Sequence, residues 1–317
     1  MKRLFAVSVL LAFAFPVVLQ AQAQMEGPVP TQALVNVDPK STPPANASVL
    51  TVAVNDHKEP VTSWAPVVPA NVQVALLIDD GLRESLGREL DNLQSFIRNL
   101  PPGVEILVGY MQYGRVVADQ PFTSDHARAA STIHLPEGVP GVSASPYFCI
   151  SDFVKRWPEA TSSGSAMSPV ASGPHKARFI MLLTNGVDPA NGSTSVLNQD
   201  SPYVSAAVRD AQRAGVVVYS IYFGDAGMRG GSVDFSGQSY LQELTEGTGG
   251  ENLWQGNGNP QSTAPFLETF QHDIAETYVA TFTAPASRDP QALVHVKFSA
   301  PKVKLRAPDA VRPGNQE

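Results

Sequence analysis

Two apolar runs of the chain each end in a short polar segment. The first covers residues 72–79 and closes with Asp79, and the second covers residues 179–183 and leads into the Thr-Asn-Gly tripeptide 184–186. Continuous apolar runs bounded by turn residues are typical of strands that are buried on both faces of a parallel sheet. Ligands of open sheets of this kind bind in the crevice beyond the carboxyl ends of the strands. The residues that come after these two runs are therefore the first candidates for a functional site.

The apolar spacing elsewhere alternates between strand and helix. Residues 84–100 have a helical period, with leucine, phenylalanine and isoleucine recurring every three or four positions before Pro-Pro-Gly. Further strands are predicted at 104–111, 115–118, 177–183, 216–223 and 252–254, and further helices from residue 124 and at 147–157, 203–214, 239–245 and 264–278. This βαβ order predicts an α/β fold with a doubly wound, mostly parallel Rossmann-like sheet that is covered by helices on both faces.

The composition of the two ends of the chain predicts segments that lie outside the α/β domain. Residues 1–23 combine a basic start, an apolar stretch and an Ala-Gln-Ala cleavage motif, so we expect a signal peptide that is removed on export. The remaining boundaries are a disordered, proline-rich lead at 24–47, a flanking strand and connector at 48–70, the main domain at 71–278, and a small antiparallel β annex and tail at 279–317. The annex is expected to include the flanking strand.

Composition and isolated residues exclude several functions. The net charge of −7 argues against nucleic acid as a partner. No stretch after the predicted signal is long and apolar enough to span a bilayer, so no membrane span is expected. Cys149 is the single cysteine and has apolar neighbours, which favours a buried structural thiol. The 6 histidines show no metal-ligand spacing, and no nucleophile motif comes after a strand. The three tryptophans, among them Trp254, are expected to pack in the core.

The order of these elements resembles that of a von Willebrand factor type A domain, in particular the exported bacterial proteins related to this family. The resemblance rests on the strand that ends in Asp79, the hairpin after it, the tripeptide 184–186, the strand that begins at 215 and the Gly-Thr-Gly-Gly turn at 247–250. It implies a metal-ion-dependent adhesion site at the carboxyl edge of the sheet, with the pattern D-x-S-x-S, a later Thr and a second Asp. Such carboxylates and hydroxyls, with water, form an octahedral oxygen shell for Mg²⁺.

Carried over residue by residue, this metal pattern is incomplete. Asp79 matches the first Asp, whereas Gly81 and Arg83 occupy the two serine positions. Ser143 falls at the threonine position and keeps a hydroxyl, and Asn185 replaces the second Asp. Mg²⁺ usually needs one or two carboxylates, so one carboxylate with an amide is a poor site. The resemblance therefore implies a degenerate, metal-free site and no cofactor; if a divalent cation does bind, its ligands are Asp79, Ser143 and Asn185.

Arg83 has two interpretations that the sequence leaves open. Facing inward, its guanidinium pairs with Asp79 and supplies permanently the positive charge of the missing metal. Facing outward, it is a solvated residue in the first turn of the next helix. A third arrangement is also open, in which Asp80, Ser85 and Asp188 rebuild a shifted oxygen site.

These features predict an exported, non-enzymatic protein-binding or adhesion module, periplasmic or extracellular, whose protein ligand the sequence does not specify. Its ligand surface is expected in the loops 79–83, 140–146 and 185–195. The ligand-binding candidates are Asp79, Asp80, Arg83, Ser143, Ser145, Asn185 and Asp188. The alternative is a structural or assembly component of a cell-envelope complex that acts through the β annex and the lead. An enzyme would need a titratable pair in the crevice, for which only Asp79, Asp80 and Asp188 are at hand.

Overall fold

A computed structural model of the chain describes residues 27–44, 46–82, 84–137, 145–158, 175–191, 200–224, 231–256 and 258–316. In these residues the strands are β1 (Val29–Val37), β2 (Thr51–Val54), β3 (His57–Pro60), β4 (Ser63–Pro66), β5 (Val72–Asp79), β6 (Glu105–Gln112), β7 (Arg115–Val117), β8 (Ala177–Thr184), β9 (Val216–Tyr222), β10 (Asn252–Leu253), β11 (Thr277–Ala284), β12 (Val294–Ser299), β13 (Leu305–Arg306) and β14 (Ala310–Val311). The α-helices are α1 (Leu90–Arg98), α2 (His126–Ser131), α3 (Pro146–Lys155), α4 (Pro202–Arg213), α5 (Gly231–Thr248) and α6 (Ala264–Ala275). The predicted signal peptide lies outside the described residues.

The central sheet is the one predicted from the apolar runs. Its six strands have the order β10-β9-β8-β5-β6-β7, and all pairs are parallel except the antiparallel β6–β7 hairpin. Helices α1, α2 and α6 pack on one face and α3, α4 and α5 on the other, which confirms the doubly wound α/β class. Successive side chains of β5 alternate between these faces, so that Ile78 belongs to the first core and Leu77 to the second.

Burial on both faces explains why β5, β8 and β9 are continuous apolar runs. Every residue of these three strands is buried. A leucine or isoleucine side chain that is fully buried contributes about 1.5–3 kcal/mol, so a polar substitution in these strands carries a large penalty. The register Leu77↔Gly109 and Leu77↔Leu182 aligns the carboxyl ends of β5, β6 and β8 at one edge of the sheet. We call this edge the carboxyl edge.

The two flanks form a β-sandwich that is larger than the predicted annex. One four-stranded sheet has the order β13-β1-β11-β4 and the other β14-β12-β2-β3, and a shared apolar core lies between them. The connector predicted at 48–70 therefore contributes β2, β3 and β4. Because β3 and β4 belong to different sheets, the chain crosses from one layer of the sandwich to the other between them.

The predicted disorder of residues 24–47 is wrong for the strand β1. This strand pairs with β11 from Val29↔Ala284 to Asn36↔Thr277, and its residues 33–37 are buried. Long-range pairing and burial supply the stabilisation that the proline-rich composition suggested was missing. Pro30 is tolerated because over this stretch β1 pairs with β11 alone; β13 joins only at Asn36 and Val37.

Two smaller expectations also differ from the structure. Helix α5 begins at Gly231, whereas the sequence pattern placed its start at Ser239 and a loop before it. Trp254 is 53% exposed, because it comes directly after the two-residue strand β10 at the carboxyl edge, so it is not a core residue. Among the described helices, none is both long and apolar enough to cross a membrane.

Candidate functional site

The carboxyl edge brings the ends of β5 and β8 together. Ile78 is paired with Leu183, and the next residues along the two strands are Asp79 and Thr184. The Asp79 carboxylate is 5% exposed. Its Oδ2 accepts a 2.6 Å hydrogen bond from the Thr184 hydroxyl, and its Oδ1 accepts a 2.9 Å hydrogen bond from the Gly81 N–H. Both oxygens of the carboxylate at the centre of the candidate site are therefore held by the protein itself.

The loop after β8 is fixed by contacts on both sides. Asn185 is 3% exposed, and its Oδ1 accepts a 3.0 Å hydrogen bond from the Val187 N–H. The Gly186 carbonyl accepts a 2.7 Å hydrogen bond from the Tyr147 hydroxyl on α3. Gly186 has φ of +67°, and a Cβ atom there would lie 2.5 Å from the Gly237 carbonyl oxygen on α5. Because α3 and α5 clamp this loop, Asn185 has a defined position beside β5.

Asp80 points to a different part of the edge. Its side chain is 6% exposed, and its Oδ1 accepts a 3.1 Å hydrogen bond from the Glu137 N–H. Tyr110 fixes the same segment: its hydroxyl accepts from the His134 N–H at 2.8 Å and donates to the His134 carbonyl at 2.7 Å. Burial raises the pKa of Tyr110 to about 12, so this phenol stays protonated. Asp80 therefore anchors the segment after α2.

Asp188 supports the start of α4. Its Oδ2 accepts a 2.6 Å hydrogen bond from the Ser201 hydroxyl, and its Oδ1 accepts a 3.1 Å hydrogen bond from the Ala190 N–H. Ser201 in turn accepts hydrogen bonds from the N–H groups of Tyr203 and Val204 and caps the helix. A carboxylate at this helix end is also favoured by the helix dipole. These contacts give Asp188 a structural role.

The start of α3 lies behind Asp79. Ser145 is 1% exposed and occupies the N-cap position, but its hydroxyl makes no cap hydrogen bond and has no hydrogen-bond partner within the described coordinates. One turn further, Cys149 is fully buried. Burial raises the pKa of its thiol to about 12, and the negative charge of Asp79 contributes to this rise. The expectation of a buried structural cysteine is confirmed.

The structure thus tests the predicted site residues unequally. It places Asp79 and Asn185 at the same edge of the sheet, and it shows Asp80 and Asp188 accepting hydrogen bonds that anchor loops. Arg83 and Ser143 lie outside the described residues, as do residues 140–144 and 192–195 of the predicted loops, so both orientations of Arg83 stay predictions. Sequence reasoning missed Thr184, the direct partner of Asp79. Its signal was available, because a threonine ends the apolar run on the strand that neighbours β5.

The candidate metal ligands that the structure describes do not fit the coordination shell of Mg²⁺. They comprise one carboxylate, the Thr184 hydroxyl that donates to it, and the Asn185 amide oxygen that accepts from its own loop. No group of three or more His, Cys, Asp or Glu side chains that could hold a metal ion occurs among the described residues. Mg²⁺ binds through near-ideal octahedral geometry and carboxylate ligands, which this donor set does not supply.

Comparison with known proteins gives likeness in fold alone. The chain is similar to an aerotolerance-related membrane protein from Bacteroides fragilis, at 13% identity over 64% of this chain and 98% of that one, with a TM-score of 0.41. It is similar to a von Willebrand factor type A structure from Catenulispora acidiphila, at 11% identity over 91% and 75% of the two chains, with a TM-score of 0.40. It is also similar to the ArnB paralog VWA2 from Sulfolobus acidocaldarius, at 10% identity over 90% and 76%, with a TM-score of 0.37.

These solved structures include the family that the sequence resembles. No family model and no curated protein matches the chain. At TM-scores below 0.5 we take neither function nor site residues from the neighbours. The function of this chain is therefore inferred from the geometry of its own carboxyl edge.

Proposed function

We propose that the protein is an exported, non-enzymatic module that binds a protein ligand at the carboxyl edge of its sheet without a bound metal ion. The observation that carries this proposal is that both carboxylate oxygens of Asp79 accept hydrogen bonds from the protein, one from the Thr184 hydroxyl and one from the Gly81 N–H. The sequence of residues 1–23 supports export. Loops on a rigid α/β scaffold are where binding residues collect.

Metal independence is supported by the contacts of the two candidate ligands. A buried carboxylate that accepts two hydrogen bonds is stabilised in its charged form without a cation. An ion at the Oδ2 of Asp79 would compete with the Thr184 hydroxyl for the charge of this oxygen, and so weaken a buried hydrogen bond. Asn185 brings no charge to offset the dehydration of a divalent cation.

Binding is favoured over catalysis by the state of the titratable groups at this edge. Asp79, Asp80 and Asp188 each accept hydrogen bonds from backbone N–H groups, so these carboxylates hold loops of the protein in place. The raised pKa of Cys149 keeps its thiol protonated and buried, and the thiolate is the nucleophilic form.

The test uses partner capture from envelope extracts with the purified protein, in EDTA and in Mg²⁺. We expect wild-type protein to retain its partner equally in both conditions. Ala190→Arg adds a long charged side chain at an exposed position of the carboxyl edge and should abolish capture, whereas Lys58→Glu on the edge strand β3 should leave it intact. Capture that needs Mg²⁺, or that survives Ala190→Arg and is lost with Lys58→Glu, contradicts the proposal.

One observation supports an assembly role as a second candidate. Among the described strands, β3 pairs only with β2, so its other side is a sheet edge to which an extended peptide could add. The same strand contains Lys58 and Pro60, residue types that protect sheet edges from such pairing. Deleting residues 24–54 would not separate the two candidates, because it removes β1 and β2 from the sandwich core. The Lys58→Glu variant does separate them.

A further inference from the structure

Three large aromatic side chains are exposed side by side near the carboxyl edge. Tyr113, in the β6–β7 turn, is 80% exposed; Phe148, in the first turn of α3, is 37% exposed; and Tyr203, in the first turn of α4, is 36% exposed. Aromatic side chains bury large areas in cores and interfaces, so their exposure together needs an explanation. We call these three residues the aromatic ridge.

The three elements that carry the ridge are neighbours. The rings of Phe148 and Tyr203 meet edge to face, with centroids 4.7 Å apart and planes at 75°. On the other side of Phe148 lies the hairpin turn: a Cβ atom at Gly114 would be 3.6 Å from the Phe148 Cβ. The ridge therefore runs from the hairpin over α3 to α4.

The backbone of Tyr113 is unusual for its residue type. Tyr113 has φ of +47° and Gly114 has φ of +80°, so both central residues of this hairpin turn are in the left-handed region. Asn, Asp and Gly are preferred there, and a bulky residue costs about 1–3 kcal/mol. The chain thus holds a strained tyrosine at a highly exposed hairpin position. Strain of this kind is typical of ligand-contacting segments.

Negative charge lies on the other side of α4. Glu243 on α5 accepts a 3.2 Å hydrogen bond from the Ser205 hydroxyl on α4. Burial raises the pKa of the Glu243 carboxyl, and the neighbouring charge of Asp200 raises it further. Within the described part of the chain, neither Asp200 nor Glu243 has an ion-pair partner. These two carboxylates repel each other and would be stabilised by an external cation.

The nearest basic side chains on α3 do not offset this charge. Lys155 pairs with Asp210 at 2.7 Å, and Arg156 pairs with Asp152. The amino end of α4 is likewise capped, because the Ser201 hydroxyl accepts from the first N–H groups of the helix and donates to Asp188. The surface therefore combines exposed aromatic rings with uncompensated carboxylates, on a protein whose net charge is −7.

We propose that the aromatic ridge and the Asp200–Glu243 pair bind an extended peptide segment that alternates basic and apolar side chains and crosses the amino end of α4. Arginine guanidinium groups of the segment can stack on the tyrosine and phenylalanine rings. Other arginines of the same segment can pair with the two carboxylates. This inference rests on the proposed function and names the class of its protein ligand.

The test measures binding of a fluorescent peptide of Arg, Leu and Gly residues, and of its Glu-for-Arg counterpart, by anisotropy at about 0.15 M salt, where exposed charges still act over a Debye length. We expect the arginine peptide to bind and the glutamate peptide not to. Phe148→Ser and Tyr203→Ser should each weaken binding about tenfold, and Glu243→Gln about threefold. Val68→Ser, at an exposed apolar residue before β5 and therefore at the opposite edge of the sheet, should leave the affinity unchanged. Urea midpoints verify that each variant is folded.

The inference is overturned by equal binding of both peptides, by wild-type affinity in Phe148→Ser, or by loss of binding in Val68→Ser. Concentration-dependent dimerisation that Phe148→Ser abolishes would assign the ridge to a second copy of this chain and would also overturn it. The proposed function is judged separately by partner capture with Ala190→Arg. If partner capture gives the expected results and the peptide test does not, only the proposed class of ligand is rejected.

Discussion

The Thr184 hydroxyl and the Asp79 carboxylate are joined by a 2.6 Å hydrogen bond across the neighbouring strands β8 and β5. Asp79 is the residue that the sequence resemblance assigns to the first carboxylate of a metal site. The hydrogen bond gives the buried carboxylate a protein donor, and it ties the two loops of the carboxyl edge to each other. Substitutions should change stability in different ways at the Asp79–Thr184 hydrogen bond, in the packing around the loop after β8, and at the ion pairs that attach the sandwich.

Thr184→Val removes the donor and keeps the shape of the side chain. Because Asp79 is 5% exposed, the lost hydrogen bond is poorly replaced by water. We expect a loss of about 1–3 kcal/mol in the free energy of unfolding, measured by urea titration. Thr269→Val, at an exposed position of α6, is the matched control and should change stability by less than about 0.5 kcal/mol. Equal effects of the two substitutions would mean that the Asp79–Thr184 bond contributes nothing specific.

Alanine substitutions at Gly186 and Gly256, compared with each other, separate the cost of a steric clash from the cost of backbone strain. Both have φ of +67°, but a Cβ atom at Gly186 would lie 2.5 Å from the Gly237 carbonyl oxygen and from Leu241 Cγ, whereas nothing lies within 4 Å at Gly256. We expect Gly256→Ala to cost about 1–2 kcal/mol, which is the penalty of the left-handed backbone. Gly186→Ala should cost clearly more or prevent folding. Similar midpoints in thermal unfolding would show that α5 does not clamp the loop.

An ion-pair cluster attaches the sandwich to the α/β domain. Arg306 on β13 pairs with Asp273 at the end of α6 and with Glu251 before β10, and it donates a 2.8 Å hydrogen bond to Asn36 on β1. Asp273 is 1% exposed. Removing one partner of a buried ion pair costs about 3–5 kcal/mol, so Arg306→Leu should be strongly destabilising in urea titrations.

The loss in the free energy of unfolding that Arg306→Leu causes should depend on pH. Burial raises the pKa of Asp273 from 3.8 to about 6 in the folded protein. The folded state therefore binds this proton more tightly than the unfolded state, and the contribution of Asp273 to stability falls as the pH rises from about 4 through 6. Without Arg306 the charged form is harder to bury, so the variant should lose less stability at about pH 5 than at about pH 7.5. A penalty that is the same at both pH values would contradict the assigned pairing.

Cys149 should be unreactive in the folded protein. Its side chain is fully buried and its pKa is raised to about 12, so almost no thiolate is exposed to solvent at about pH 8. We expect a chromogenic disulfide reagent to modify it only after unfolding in urea. Stoichiometric reaction within minutes under native conditions would show that the α3 region opens readily.

The sequence predicts the strands whose burial shows in their own run of apolar residues. Strands β5, β8 and β9 are continuous apolar runs because helices cover both faces, and the sequence shows these runs directly. Strand β1 was missed because its stability comes from β11, near the other end of the chain, as the pair Val29↔Ala284 shows. Composition over a short window does not report such pairing.

The site was predicted at the level of strand ends and not of contacts. The sequence placed Asp79 and Asn185 at one edge, but the partner of Asp79 depends on the register of β5 against β8, which sets Thr184 beside it. The aromatic ridge was missed for a related reason. Tyr113, Phe148 and Tyr203 are far apart in sequence, and their elements become neighbours only when the hairpin, α3 and α4 pack together. Exposure cannot be read from residue type.

Metal independence is tested most directly by thermal unfolding of the purified protein in EDTA and then in millimolar Mg²⁺, Mn²⁺ or Ca²⁺. An ion that binds only the folded state at about 100 times its Kd adds about 2.7 kcal/mol and raises the midpoint by several degrees. We expect the same midpoint for wild type in every condition. An Arg83→Ser/Asn185→Asp double variant, which restores one of the two missing hydroxyls and the missing carboxylate, should show a metal-dependent rise. A metal-dependent rise in the wild type would contradict metal-free binding at the carboxyl edge.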